Sequence, residues 1–151
     1  MARGTNVNVG VVRGGTRSNV VAAAARAEID VRFSTGEEAR RVEDALRGLR
    51  PFDERTRLHV EGEINRPPLE RSEGVARLYE HARSIAAALD YELGEASVGG
   101  ASDGNFAAAV GAPVLDGLGI DGDGAHAAHE HIKISDVAPR GALLAGLIAS
   151  L

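Results

Sequence analysis

Residues 99–131 read GGASDGNFAAAVGAPVLDGLGIDGDGAHAAHEH. This stretch decides the fold, because it sets a glycine loop, a short apolar helix, a strand and a histidine-rich loop in direct succession. Asn105 to Val110 reads as the helix, Pro113 to Leu118 as the strand, and GGASDG as the loop before them. Upstream, Glu92 to Val98 reads as another strand. Ahead of it Val75, Leu78, Tyr79, Ala82, Ile85, Ala86 and Leu89 recur at helical spacing as one long apolar stripe. After the histidines, Ser135 offers a cap for a last helix lined by Val137, Leu144, Leu147, Ile148 and Leu151. Pro139 is acceptable in that helix's first turn. Helix and strand alternate throughout, so this half reads as α/β.

The first half reads differently. Val7, Val9 and Val11 alternate with polar or small residues, Gly14-Gly15 makes a turn, and Ala23 to Phe33 alternates again as a second strand. Ser34-Thr35-Gly36-Glu37-Glu38 holds two overlapping capping boxes ahead of a helix with apolar positions Ala39, Val42, Leu46 and Leu49. Arg57 to Glu63 returns to strand alternation. Strand, strand, helix, strand suggests an antiparallel α+β layer. Pro67-Pro68 can continue neither a helix nor an interior strand, which places a boundary between 1–67 and 68–151.

Composition narrows the function. A net charge of −5 gives no electrostatic reason to expect nucleic acid as a partner. With no cysteine, any metal would need histidine and carboxylate ligands. No apolar run approaches membrane length and the start of the chain has no signal-peptide core, so the expected setting is cytoplasmic. Of the 17 basic residues all but Lys133 are arginine, scattered along the chain, and a few suit bidentate anion contacts.

Four motifs compete within the opening stretch. Gly117-x-Gly119-x-x-Gly122 follows a strand, but no helix follows it to hold a pyrophosphate. Asp121-x-Asp123 begins like a calcium loop, yet His126 and Ile132 stand where glycine and glutamate are required. Gly100-x-Ser102-x-Gly104 matches a nucleophile elbow, with Asp116 or Asp121 and then His126 in hydrolase order. Only one further strand follows, and no HGGG-type oxyanion segment is present. Last, Gly122 and Gly124 let the backbone place His126 at the end of a strand, where open α/β sheets bind ligands. The loop at 99–104 would offer N–H groups to an anion nearby.

Together NVNVGVVRGGTRSNVV, AEIDVR, GGASDGNFAAAVGAPVLDGLG and GDGAHAAHEHIKI resemble the dinuclear zinc exopeptidases and deacylases. That family includes glutamate carboxypeptidase, acetylornithine deacetylase, aminoacylase and succinyl-diaminopimelate desuccinylase, and the likeness runs closest to the glutamate carboxypeptidase branch. The resemblance implies that residues 1–67 are part of an α+β lid that mediates dimerisation, and 68–151 the C-terminal part of an α/β catalytic domain. The family's H-x-D segment, bridging aspartate, paired glutamates, remaining carboxylate ligand and lid histidine have no counterpart here. The chain is therefore expected to be a fragment, inactive alone, that works with the missing N-terminal part.

Residue by residue, the resemblance makes His126 the last zinc ligand and Glu130 an acidic neighbour outside the coordination sphere. His129 and His131 match no ligand and read as surface residues. Asn19 and Arg32 match the lid residues that contact substrate, the Arg fork suiting an α-carboxylate. A structural ion pair is the plainer reading of that arginine. Gly99, Gly100, Ser102 and Asp103 match the loop lining the substrate side, which makes Ser102 a hydrogen-bonding residue and no nucleophile. Ala22 stands where the family usually has proline. The implied substrate is a small N-acyl amino acid or a peptide with a free carboxylate. The other two readings are a serine hydrolase using Ser102 with His126, and a non-catalytic dimerisation module.

Overall fold

The computed structural model describes residues 4–151; Met1 to Arg3, and with them the very start of the chain discussed above, lie outside the described residues. The chain divides into two compact units, Met1–Pro68 and Leu69–Leu151. Helices and strands are mixed, as an α/β class requires. No described helix is long and apolar enough to cross a membrane.

In the first unit β1 (Asn6–Gly14) pairs antiparallel with β2 (Ala25–Arg32). Val7 lies opposite Val31 and Val9 opposite Ile29, but past Gly10 the register shifts, and Val12 lies opposite Ala27. Gly10 is thus the extra residue of a β-bulge. Residues directly opposite share a face. Val7, Val9, Val12, Ala27, Ile29 and Val31 therefore form one apolar face, while Asn8, Arg13, Arg26, Glu28, Asp30 and Arg32 form a polar one. Val11, expected to continue the stripe, is turned to the polar side, and Val12 takes its place.

Helix α1 (Gly36–Arg47) starts at Thr35, the second of the two overlapping boxes, whose Oγ1 accepts from the Glu38 N–H at 3.2 Å. The Glu38 carboxylate in turn accepts from the Thr5 hydroxyl at 2.8 Å and pairs with Arg41. Ala39 and Val42 are its buried positions. The expected strand at 57–63 forms no ladder. Its tie to the helix is the Arg47 guanidinium, which donates to the Gly62 carbonyl at 3.2 Å. Alternating side chains describe a strand's faces, but its backbone also needs a neighbour, and neither β1 nor β2 pairs with it.

The second unit is built on two helices, α2 (Glu73–Ala88), capped by Ser72, and α4 (Val137–Ser150). Ala82, Ala86, Leu143 and Leu147 are its buried core, with Ile85, Tyr91, Leu93, Leu115 and Leu118 packed against them. Small residues let the helices approach closely: a Cβ on Gly146 would come within 2.8 Å of Ile85 Cγ2. Helix α4 is apolar almost all round, so its pattern does not select a face. The structure turns Leu143 and Leu147 inward and leaves Leu144, Ile148 and Leu151 exposed. The expected strands at 92–98 and 113–118 carry no ladder either; Leu93, Leu115 and Leu118 still rest on the helix pair. Helix α3 (Gly104–Ala109) lies between those segments, and the unit's described strands are β3 (Gly122–Asp123) and β4 (His131–Ile132), two residues each.

One carboxylate ties these parts together. Asp136 ends a 3₁₀ turn (Ile134–Asp136) directly before α4 and is buried. Its Oδ1 accepts from the Tyr91 hydroxyl at 2.7 Å, and its Oδ2 accepts from the Asp121 N–H at 2.8 Å and Arg140 Nε at 3.3 Å. Arg140 also lies over the Tyr91 ring, 5.3 Å from its centroid. The Asp121 carboxylate pairs with Lys133, whose N–H donates to the Asp121 carbonyl at 2.8 Å. The Asp121 N–H and the Tyr91 hydroxyl hold the Asp136 carboxyl below its usual range, and the same bond pushes the Tyr91 hydroxyl up. Lys133 likewise lowers Asp121.

Two outcomes follow for stability. Leu143 is the largest fully buried side chain among the described residues, so Leu143→Ala should cost about 3 kcal/mol in urea unfolding. Both aspartates have depressed values in the folded state, so their contribution is fully present above the ordinary value of about 3.9. It is lost as pH falls through the folded values below that point. Acid titration followed by NMR should release the segment 121–133 in that window, and Asp136→Asn should weaken it at neutral pH and flatten the acid response.

Candidate functional site

The histidine loop folds as a tight hairpin joining β3 to β4, with Gly122 opposite Ile132 and Asp123 opposite His131. Its glycines serve the hairpin itself. A Cβ on Gly122 would stand 2.1 Å from the His131 carbonyl oxygen, so the partner backbone leaves room for glycine alone. Gly124 has a φ of +75°, and the His129 ring lies where its Cβ would be, 2.6 Å away at Cδ2. A turn follows in which the Ala127 N–H donates to the Gly124 carbonyl at 2.8 Å, and a second in which the Glu130 N–H donates to the Ala127 carbonyl at 3.1 Å.

His126 occupies the third position of the first turn with a φ of 67°, in the left-handed region. Turns that need this conformation there usually take glycine or asparagine. For a residue with a Cβ the conformation is disfavoured by about 1–2 kcal/mol, and such outliers cluster at functional positions. His126, His129, Glu130 and His131 are all exposed. An open depression of about 320 Å³ beside the turn is lined by Ile120, Gly122, Asp123, Gly124, Ala125 and Glu130. The three histidines do not converge: among the described residues no three His, Cys, Asp or Glu side chains are grouped to hold a metal ion. The described residues therefore do not group the three protein ligands that a zinc site uses, and the proposed role of His126 needs further ligands beside it.

The glycine loop is closed on itself. The Ser102 N–H donates to Asn105 Oδ1 at 2.9 Å, the Gly104 N–H to Ser102 Oγ at 3.1 Å, and the Asn105 N–H to the Ser102 carbonyl at 3.2 Å. The expected anion cradle is thus narrower than its sequence suggests, since these donors are already engaged. Gly99, Gly100 and Asp103 are exposed, and a Cβ on Gly100 would meet nothing within 4 Å. The Ser102 hydroxyl donates to Asp116 Oδ2 at 2.7 Å. The serine-hydrolase reading needs the His126 imidazole as the proton acceptor of Ser102, and here the Asp116 carboxylate takes that bond. A fluorophosphonate probe should therefore leave Ser102 unlabelled; stoichiometric labelling lost in Ser102→Ala would reinstate the serine-hydrolase reading.

In the first unit Asn19 is exposed in the loop between β1 and β2, and Arg32 ends β2 on the polar face. Arg32 Nε donates to Asp30 Oδ2 at 3.1 Å, with both side chains about 60% exposed. An exposed pair of this kind contributes about 0.2–1 kcal/mol. Sequence reasoning missed the Tyr91–Asp136–Arg140 group. Asp136 and Arg140, four apart at the start of a helix, were its readable signal.

Residues 2–50 match the family model described as a peptidase dimerisation domain. The chain is also 28% identical, over 158 aligned positions, to carboxypeptidase G2 from Pseudomonas sp. (strain RS-16). That alignment covers 99% of this chain and 37% of the relative, so the chain spans little more than a third of the relative's length. The first likeness is to a dimerisation domain of peptidases and the second to a carboxypeptidase.

Proposed function

We propose that this chain is part of a zinc-dependent metallo-carboxypeptidase or N-acyl-amino-acid deacylase that works as a homodimer. In this reading residues 1–67 are part of the lid and residues 68–151 are the C-terminal part of the catalytic domain. His126 is a zinc ligand, Glu130 supports it from outside the coordination sphere, and Asn19 and Arg32 hold the substrate carboxylate. Gly99, Gly100, Ser102 and Asp103 line the substrate side. The general base and the other ligands come from groups outside this set, so the chain alone is inactive.

The observation that carries the reading is the backbone of His126. A histidine kept at a glycine-favouring turn position, on a hairpin built around two close-fitting glycines, is costly for a plain surface loop. The likeness to a carboxypeptidase over nearly the whole chain supports the same residue class. Dimerisation is supported by the family model over 2–50 and by the β1–β2 ribbon, a two-stranded sheet among the described residues whose apolar-face residues Val7, Val9, Val12 and Ile29 are exposed.

Calorimetry of the isolated chain with zinc should give micromolar or poorer affinity, reduced further in His126→Ala, because one ligand falls short of a stable site. His126→Gly should lose the same binding while leaving stability equal or higher, since glycine relieves the left-handed strain. Co-expression with the N-terminal part of a relative should restore zinc-dependent cleavage of an N-acyl amino acid. His126→Ala should abolish that cleavage and Arg32→Ala should chiefly raise KM. Sub-nanomolar zinc binding by the chain alone, or full activity of the complex without His126, would overturn the assignment.

A further inference from the structure

We propose that Asp136 is a positioning residue for His126 and Glu130: through a single carboxylate it fixes the hairpin that carries them on the α2–α4 helix pair. The role assigned to His126 above is the basis for a functional consequence; the anchoring itself stands on geometry.

The hairpin has little else to hold it. Its ladder is two residues long on each side, and every residue from 121 to 135 is exposed except Gly124, which is half-buried. Short two-stranded hairpins are marginal in water without a packed face. Polar contacts therefore set its orientation. Asp121 and Lys133 close its base through their side-chain pair and the Lys133 N–H bond to the Asp121 carbonyl. The Asp121 N–H then reaches Asp136 Oδ2 at 2.8 Å.

Asp136 is itself held firmly. Tyr91, whose ring packs against the helix core, donates to one oxygen, and Arg140, one turn into α4, donates to the other. Its place in the chain makes this use of the carboxylate informative. Asp136 is the N-cap residue of α4, where aspartate normally accepts from the helix's own N–H groups. Here the side chain makes no capping hydrogen bond. Its acceptors go to Asp121, Tyr91 and Arg140 instead, which trades helix capping for a fixed hairpin.

The lever is long. His126 stands five residues beyond Asp121, up to about 15 Å at strand spacing, so a tilt of about 10° at the base moves the tip by roughly 2–3 Å. Displacements of about 1 Å at a reacting centre can cost a hundredfold in rate.

The test uses residual dipolar couplings and amide exchange on the intact chain, then kinetics on the co-expressed complex. In the unaltered protein, couplings from 121–133 and from α2 and α4 should fit one orientation. In Asp136→Ala the segment 121–133 should lose that common orientation, and the Ala127, Glu130 and Lys133 amides should exchange about tenfold faster or more, with the α2 and α4 amides within about twofold. In the complex, Asp136→Ala should lower kcat tenfold or more with KM little changed, and Asp136→Asn, which keeps an acceptor oxygen, should recover part of it. Should Asp136→Ala not fold, Tyr91→Phe and Lys133→Met each remove one bond of the group and should give the same pattern in smaller measure.

A single orientation kept in Asp136→Ala, or faster exchange spread evenly over α2 and α4, would overturn the proposal. So would an unchanged kcat in a complex that needs His126. If the complex does not need His126, the zinc-ligand reading fails separately, and the couplings alone decide whether Asp136 anchors the hairpin.

Discussion

A buried carboxylate must find donors for its oxygens, because an unmet one would be held out of water at a cost of several kcal/mol. Asp136 meets that requirement from three directions at once: the residue row after α2, the first turn of α4, and the backbone at the foot of the β3–β4 hairpin. None of the three can shift without stripping a donor from it. The apolar core of the second unit, two alanines of α2 against two leucines of α4, supplies a platform that fixes no direction for what stands on it. The polar group supplies the direction.

The division of labour between the units is equally plain in their chemistry. The first unit presents a polar strand face ending in Arg32 and an apolar face left open to solvent. The second presents histidines and a glutamate on a glycine-shaped hairpin. Neither gathers three metal-binding side chains among the described residues. The zinc site proposed for His126 therefore needs ligands beyond those that the described residues group together.

Much of this was legible in the sequence where the signal is local. The capping run at 34–38, the apolar stripe of α2 and the glycine–histidine loop each depend on residues a few positions apart, and each appears where its pattern lies. The segments at 57–63, 92–98 and 113–118 looked like strands because alternation records where side chains point. It does not record whether a neighbouring backbone is present to complete the ladder, and none is in place. The buried face of α4 was misread by one residue, Leu143 for Leu144, because a helix apolar on all sides takes its orientation from Gly146 and the alanines opposite. The role of Asp136 was hidden for a different reason: its partners Tyr91 and Asp121 are 45 and 15 residues away.

The bulge at Gly10 carries a consequence for assembly. A regular two-stranded ribbon can slide by two residues and keep the same sides in and out, so its phase along the strand axis is only loosely set. An extra residue on one strand removes that freedom, since any slip would set Val12 opposite a charged residue or leave the kink without its matching gap. The ribbon therefore offers its outer edges in one phase only. Whatever strand or face comes to lie beside it meets a ruler with fixed marks, set by one extra residue in β1.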